Sequence, residues 1–193
     1  MIINFCQQIV YIKSKLQQYS GITYRLRNFF NLRAANNFYY ACVYSVLKYC
    51  ICVWGGIFND TNRGAPLQKL QSKIVSNLFS RFHVSNGCIF KKSRILKLAE
   101  IHRFNVAVYM FKIIKLGECQ HLSRLLEIVY PNHTYGTRNI DKLILPLPRI
   151  NSVRINFEYQ FLKLWNEVPN YMKDITSLRR FKKEYFNYLI EFY

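Results

Sequence analysis

The stretch that decides the fold runs from Asn31 to Gly56, NLRAANNFYYACVYSVLKYCICVWGG. Asn31 is a residue type that commonly caps a helix N-terminus through its side-chain oxygen. The residues after it are apolar or aromatic over most of the stretch, which closes with Gly55 and Gly56. The sequence therefore predicts a helix that begins near Asn31, runs to Trp54 and is stopped by the two glycines.

A further helical pattern precedes this stretch. Apolar side chains recur at steps of three and four, which is the spacing of one helix face, at Phe5, Ile9, Ile12, Leu16, Tyr19, Leu26 and Phe30. The pattern is interrupted at Thr23, and Gly21 weakens it locally. Together the two segments predict a long helical hairpin.

The apolar part of this hairpin, residues 38–58, raises the alternative of a small basic membrane-associated protein. It holds a single charged residue, Lys48, and is long enough for a transmembrane helix. Lys48 lies at its centre, however, where a lysine costs roughly +2.5 to +3.5 kcal/mol on insertion scales. A buried core helix is therefore the favoured interpretation, and a membrane partner is not expected.

Helical spacing also governs most of the later chain. Pro66 suits the first turn of a helix, with Leu67, Leu70, Ile74 and Leu78 on one face and Lys69, Ser72, Lys73 and Ser76 on the opposite one. Further helices are predicted over residues 99–116, ended by Gly117, over residues 123–129, and from an N-cap at Thr176 or Ser177 onward.

One region, residues 141–161, shows the spacing of strands instead. Residues 142–145 form a short extended segment followed by the non-helical Pro-Leu-Pro at 146–148, and apolar side chains then alternate at Val153, Ile155, Phe157, Tyr159 and Phe161. The predicted fold class is therefore mainly α, a helical hairpin and bundle with a small β-hairpin near the C-terminal helix. Trp165, which precedes the last helix, is expected to be a packing anchor.

The charge of the chain points to a polyanionic partner. Among 193 residues there are 28 Lys and Arg against 10 Asp and Glu, a formal net charge of +18, and residues 1–59 contain no acidic residue. A surplus of this size exceeds what solubility requires. The high apolar and low glycine and proline content excludes a disordered chain.

The same composition offers no place for enzyme chemistry. The three aspartates, Asp60, Asp141 and Asp174, are isolated, whereas two-metal nucleotidyl transfer needs clustered carboxylates. The cysteine and histidine spacings do not fit zinc, and the nucleotide-binding and hydrolase motifs are absent. We therefore expect no cofactor, no metal and no catalysis by the isolated chain. The six cysteines are expected to be reduced and mostly in the core, in an intracellular protein of the cytoplasm or nucleus.

Several motifs in a fixed order resemble those of one family. They are KLQQYSGITYRLR (15–27), the aromatic segment 40–55 ending in Val-Trp-Gly, PLQKLQSK (66–73), Thr137-Arg138, KLWNEVP (163–169) and SLRRFKK (177–183). The chain resembles the thumb and C-terminal region of reverse transcriptases from non-LTR retrotransposons of the jockey-like type. It departs from that pattern at Cys50, where the family usually has Gly, and at Ser76, where it typically has Arg.

The resemblance implies a fragment of an RNA-directed DNA polymerase whose catalytic palm, with its Asp-Asp pair, would precede Met1. It divides the chain into a palm-exit segment and thumb-like hairpin (1–58), a second helical part of the thumb (59–118) and a C-terminal extension (119–193). The implied partners are an RNA or DNA template–primer duplex, bound through its phosphates without sequence preference, and a missing palm domain. The residues expected to contact phosphates are Arg25, Arg27, Lys69, Lys73, Lys91 and Lys92.

Overall fold

A computed structural model describes residues 6–56, 61–82, 89–126, 142–146 and 157–191 of the chain. The described residues are mainly helical, which confirms the predicted class. They form two compact units, the first made of Met1–Ile101 with Ile190–Tyr193 and the second of His102–Leu189. The division into segments 1–58, 59–118 and 119–193 stays a prediction.

The first helix of the first unit, α1, runs from Cys6 to Leu26. Ile12 and Leu16 are fully buried, as the apolar spacing predicts, whereas Leu26 is exposed. The buried seam continues past Leu16 with the polar residues Ser20 and Thr23. The hydroxyl of Thr23 donates to the carbonyl oxygen of Tyr19 at 2.8 Å, so this side chain is satisfied within its own helix. The interruption of the apolar pattern at Thr23 therefore does not interrupt the helix.

The next helical segment begins where the sequence predicts. The side-chain oxygen of Asn31 accepts a hydrogen bond from the backbone N–H of Ala34 at 2.8 Å, which caps α2 (Leu32–Phe38). A π-helical segment, Tyr39–Tyr44, and α3, Ser45–Lys48, follow without a break. The prediction of Asn31 as the helix start is confirmed.

This segment does not run to Trp54 as one helix, which corrects the prediction. Cys50 adopts a left-handed backbone conformation, with φ 51° and ψ 23°, and α4 (Ile51–Trp54) begins after it. The indole N–H of Trp54 donates to the carbonyl oxygen of Tyr49 at 2.7 Å across this break. Sequence rules place such a conformation at glycine, and a cysteine therefore hid the break.

The spacing of the buried side chains accounts for the π-helical winding. They recur at every fourth position, at Ala35, Tyr39, Val43, Leu47 and Ile51. On a regular α-helix, four steps of this length would rotate the buried stripe by about 160°. A π-helix has more residues per turn than an α-helix, so the π-helical segment reduces this rotation and helps to keep the stripe against the core.

The structure describes residues 38–56 of the apolar segment 38–58. Within the described parts of the chain, no helix combines the length and the apolar character that a membrane crossing requires. The described portion of the segment is divided at Cys50 into separate helical pieces.

The long helix α5 runs from Thr61 to Phe79 and packs against α1. Its start lies before Pro66, which corrects the prediction that this proline occupies the first turn. Pro66 is exposed, and a proline at this position removes only one backbone hydrogen bond near the helix end. The short helix α6, Ile89–Lys92, also packs against α5.

Three helices of the second half confirm or shift predicted boundaries. The helix α7 runs from Leu98 to Leu116 and ends at Gly117, whose φ is +64°, as predicted. The next helix, α8, is Gln120–Leu125 and thus begins earlier than predicted; residues 127–129 lie outside the described residues. The last helix, α11, covers Leu178–Glu191, as expected from an N-cap at Ser177.

The predicted β-hairpin is wrong where it can be compared with the structure. Residues from Phe157 form a helix, α9 (Phe157–Asn166), and no described residue lies in a strand; residues 147–156 lie outside the described residues. The alternating pattern misled because Phe157 and Phe161 are also one helical turn apart, with rings 6.1 Å from each other. Leu164 and Trp165 continue that buried helical face.

A side-chain amide binds the segment that was predicted to be the first strand. The backbone N–H of Leu143 donates to the Oδ1 of Asn166 at 2.8 Å, and the Nδ2 of Asn166 donates to the carbonyl oxygen of Leu143 at 2.9 Å. Asn166, from the Leu-Trp-Asn motif, thus satisfies both backbone groups of Leu143 as a paired strand would. A short helix, α10 (Asn170–Lys173), follows.

Trp165 has the packing role predicted for it. It is 1% exposed, and its ring centroid lies 6.2 Å from that of Phe181 on α11. Phe181 also stacks on Phe111 of α7 with a centroid distance of 4.6 Å. This aromatic cluster forms the core of the second unit.

The prediction that the cysteines lie mostly in the core is wrong for the four whose burial the structure describes. Cys50 and Cys119 are exposed, and Cys42 and Cys52 are half-buried; all four are free thiols. Apolar neighbours in sequence therefore did not imply burial of the cysteines themselves.

Candidate nucleic-acid interface

The exposed face of α5 carries the two lysines that were predicted to be central. Lys69, Lys73 and Ser76 are exposed, while Leu67, Ile74 and Leu78 on the opposite face are 0–1% exposed. The predicted division of the helix into two faces is confirmed. We call Lys69, Ser72, Lys73 and Ser76 the basic ridge. Lys69 and Lys73 lie one helical turn apart, so their ammonium groups can reach neighbouring anions on one side of the helix.

Two glutamines of the same motif orient the helix below the ridge. Gln71 is fully buried, and its Nε2 donates to the hydroxyl oxygen of Tyr39 and to the carbonyl oxygen of Leu96, both at 2.9 Å. The Oε1 of Gln68 accepts a hydrogen bond from the backbone N–H of Leu98 at 2.9 Å. We call Gln68 and Gln71 the glutamine pair.

The glutamine pair fixes the start of α7 against α5. The first N–H groups of a helix have no partner within it, and Gln68 supplies one to Leu98. The motif PLQKLQSK (66–73) contains both glutamines, and the sequence alone does not predict this role for them. The signal that could have identified Gln71 is a polar residue at a position where helical spacing demands burial, between Leu67 and Ile74.

A polar seam fixes the direction of α1 against α5. The Nδ2 of Asn77 donates to the carbonyl oxygen of Ser20 at 3.3 Å and to the hydroxyl of Thr23 at 3.2 Å. Beyond the end of α5, Arg81 donates to the carbonyl oxygen of Asn28 at 2.6 Å. The two helices therefore have their C-terminal ends side by side.

This arrangement places the predicted arginines at the end of the helix pair that Arg81 also occupies. Arg25 and Arg27 are exposed, and the guanidinium carbon of Arg27 lies 4.8 Å from the centre of the Tyr24 ring. Arg25 is in the last turn of α1, where the helix dipole favours a positive charge. Arg81 belongs to the same group, and sequence reasoning missed it because its contact spans 53 residues.

Lys91 and Lys92 lie on α6, whose Phe90 is buried. Both lysines are exposed. The turn that follows α6 contains Arg94 in a left-handed conformation, φ 52°, and its carbonyl oxygen accepts a hydrogen bond from the Tyr40 hydroxyl at 3.3 Å. Both α1 and α6 pack against α5, so the six predicted residues lie on α5, on one of these two neighbouring helices or, for Arg27, directly after α1.

Both units hold 14 Lys and Arg, but their excess over acidic residues is larger in the first unit. Residues 1–101 contain 14 Lys and Arg against two acidic residues, Asp60 and Glu100, whereas residues 102–193 contain 14 against eight. Carboxylates partly balance the basic residues of 102–193, as in the ion pair between the Nζ of Lys112 and the Oε2 of Glu118 at 2.8 Å. The first unit therefore has the stronger attraction for a polyanion.

The described residues contain no group of three or more His, Cys, Asp or Glu side chains arranged to hold a metal ion.

Comparisons with protein-family models, with curated proteins and with solved structures give no match for this chain. The contribution of the six predicted basic residues to binding stays a prediction, and its basis is their exposure and position in the first unit.

Proposed function

We propose that this chain is the thumb and C-terminal part of a retroelement RNA-directed DNA polymerase, related to non-LTR retrotransposon reverse transcriptases. In this proposal it binds a template–primer duplex of RNA or DNA through the phosphates and acts inside the cell, in the cytoplasm or nucleus. The observation that carries the proposal is the basic ridge, which is exposed on a helix whose other face the glutamine pair and the core hold in place.

Binding would depend on charge and not on base sequence. Lys69 and Lys73 would neutralise neighbouring phosphates, with Arg25 and Arg27 at one end of the helix pair and Lys91 and Lys92 on α6. Each neutralised phosphate releases condensed counterions, so affinity falls as the salt concentration rises. Lysine ammonium groups and phosphate oxygens carry no information about the bases, and all duplexes of equal length should bind alike.

Catalysis would belong to a palm domain and not to this chain. Phosphoryl transfer by a polymerase needs carboxylates that hold two divalent cations about 3.5–4 Å apart. The aspartates Asp60, Asp141 and Asp174 are far apart in sequence, and we expect purified protein to extend no primed template. The palm is accordingly the proposed protein partner.

Filter binding across a salt series tests the ridge. Because the slope of log K against log salt is about −0.9 per phosphate on B-DNA, Lys69→Ala/Lys73→Ala should make the slope shallower by about 2. Ser76→Arg, which restores the arginine of the resembling family, should steepen it by about 1. Circular dichroism on each variant checks that the helices are intact.

The matched control is Lys182→Ala/Lys183→Ala, which removes the same charge from exposed positions on α11. It should leave the slope close to that of the wild type if the ridge is the main contact. Equal slopes for wild type, the ridge variant and the control would mean that the ridge is a solvated helix face. The proposed site would then be rejected.

A further inference from the structure

The turn between α1 and α2 presents an aromatic ring to solvent. Phe29 is 84% exposed, the highest value among the large apolar side chains for which the structure gives an exposure. Its backbone N–H donates to the carbonyl oxygen of Leu26 at 2.9 Å, which closes the turn. Tyr24, Leu26 and Leu32, within five residues of it in sequence, are also exposed apolar side chains. Several exposed apolar side chains in one short segment of a charged surface make this turn a candidate interaction site.

Arginines surround the same turn. Arg25, Arg27 and Arg33 are exposed next to it in sequence, and Arg81 is bound to it through the carbonyl oxygen of Asn28 at 2.6 Å. We call Phe29 and these four arginines the arginine–phenylalanine turn. Residues 1–59 contain no carboxylate, so the positive field is not balanced locally.

The turn is held in shape before any ligand arrives. Arg81 joins it to the end of α5, and the side chain of Asn31 caps the helix that follows at 2.8 Å. A surface that is already ordered loses less entropy on binding. An exposed ring on such a rigid turn can therefore serve as a platform.

We propose that Phe29 stacks on an unpaired base of a single-stranded nucleic acid while Arg25, Arg27, Arg33 and Arg81 contact the flanking phosphates. An exposed flat ring beside several guanidinium groups matches the chemistry of a single strand, which offers both free base faces and phosphates. In a duplex the bases are stacked on one another, so the ring has no such partner. This inference rests on the proposed function and adds a second form of nucleic acid, bound at the end of the helix pair by a site that shares Arg25 and Arg27 with the proposed duplex site.

Fluorescence of Phe29→Trp tests stacking directly. Trp54 and Trp165 are each 1% exposed, so a tryptophan at position 29 would be the solvent-exposed emitter. A twelve-residue oligothymidylate should quench its emission, and a blunt duplex should not. An abasic oligonucleotide with the same number of phosphates should bind with little quenching, because it has charge but no base.

Affinity measurements on Phe29→Ala complete the test. This variant should bind oligothymidylate about fivefold or more weakly, the effect of losing one base–aromatic stack. Its affinity for the abasic oligonucleotide and its salt slope should match those of the wild type, because no charge has changed. The control is Tyr109→Ala, an exposed aromatic residue on α7 that should not affect binding.

Three results would overturn the inference. Phe29→Ala could bind oligothymidylate as tightly as the wild type, or lose affinity equally for the abasic oligonucleotide. Alternatively, the position-29 tryptophan could respond only to vesicles containing phosphatidylserine, which would indicate a lipid surface. The salt slope of Lys69→Ala/Lys73→Ala on duplexes reports separately on the proposed function, so either idea can fail alone.

Discussion

Replacing Gln71 by leucine should destabilise the first unit without changing its charge. Gln71 is 0% exposed, and its amide group donates two hydrogen bonds of 2.9 Å, to Tyr39 and to the backbone of Leu96. Leucine has a similar volume and no donor. The substitution therefore tests whether this glutamine holds α5 in place, as its geometry indicates.

The expected loss in the free energy of unfolding follows from the two polar groups that lose their hydrogen-bond donor, the hydroxyl of Tyr39 and the carbonyl of Leu96. Tyr39 is 0% exposed and Leu96 4%, so neither lost partner is readily replaced by water. An unsatisfied buried group costs about 1–3 kcal/mol. Against this, the leucine side chain is more apolar, and the Oε1 of Gln71, to which no described residue donates, is removed. We expect a net loss of about 2 kcal/mol in the free energy of unfolding.

Urea unfolding followed by tryptophan fluorescence measures this loss. Trp54 is buried in the first unit, and a Trp165→Phe background would remove the signal of the second. Combining Tyr39→Phe with Gln71→Leu replaces both partners of one hydrogen bond. The double variant should therefore lose about 1 kcal/mol less than the sum of the two single variants.

The control is Gln17→Leu, at an exposed position on α1, which should change stability by no more than about 0.5 kcal/mol. If Gln71→Leu costs as little as this control, the glutamine does not hold the helix. Strict additivity of Tyr39→Phe and Gln71→Leu would likewise contradict the hydrogen bond between these side chains.

Two further predictions concern pH and backbone conformation. Burial, with a smaller effect from the charge of Arg103, lowers the pKa of His102 to about 4, so the folded state holds this histidine neutral. The unfolded chain binds the proton at its ordinary pKa near 6.5, so the free energy of unfolding should fall by about 2 kcal/mol between pH 7.5 and 5. Thermal unfolding across this pH range should show the loss in the wild type and not in His102→Gln. An equal pH dependence in both proteins would refute the prediction. Cys50→Gly should stabilise the protein by about 1 kcal/mol. It removes the roughly 1–2 kcal/mol that a left-handed conformation costs a non-glycine residue, and the larger entropy that glycine loses on folding offsets part of this gain. Cys50→Ala, measured by the same urea titration, should give no gain.

The local features of the fold were predictable where a residue acts through its own neighbours. Asn31 caps α2 by accepting from a backbone N–H three residues away, Gly117 ends a helix, and the faces of α5 follow from a repeat within a single helix. The segment at residues 157–161 was not predictable, because one apolar series fitted both the strand and the helix period. The left-handed residue also escaped prediction, since nothing in cysteine chemistry favours that conformation.

The candidate site was predictable in the same partial way. Exposure of Lys69 and Lys73 follows from helical spacing, and the structure agrees with it. The grouping of Arg81 with Arg25 and Arg27 depends on the packing of α1 on α5, through contacts that span 53 to 57 residues. A single sequence does not specify such contacts, because its local pattern determines which side of a helix is buried and not which helix covers it.

The left-handed backbone at Cys50 shows that a conformation typical of glycine can be held by another residue. Glycine would adopt this geometry at little cost. A cysteine keeps the same chain path because surrounding contacts hold it, among them the hydrogen bond from Trp54 to the carbonyl oxygen of Tyr49 at 2.7 Å. A penalty of roughly 1–2 kcal/mol is small enough for a folded domain to tolerate. A search of the sequence for glycine therefore misses a helix break of this kind.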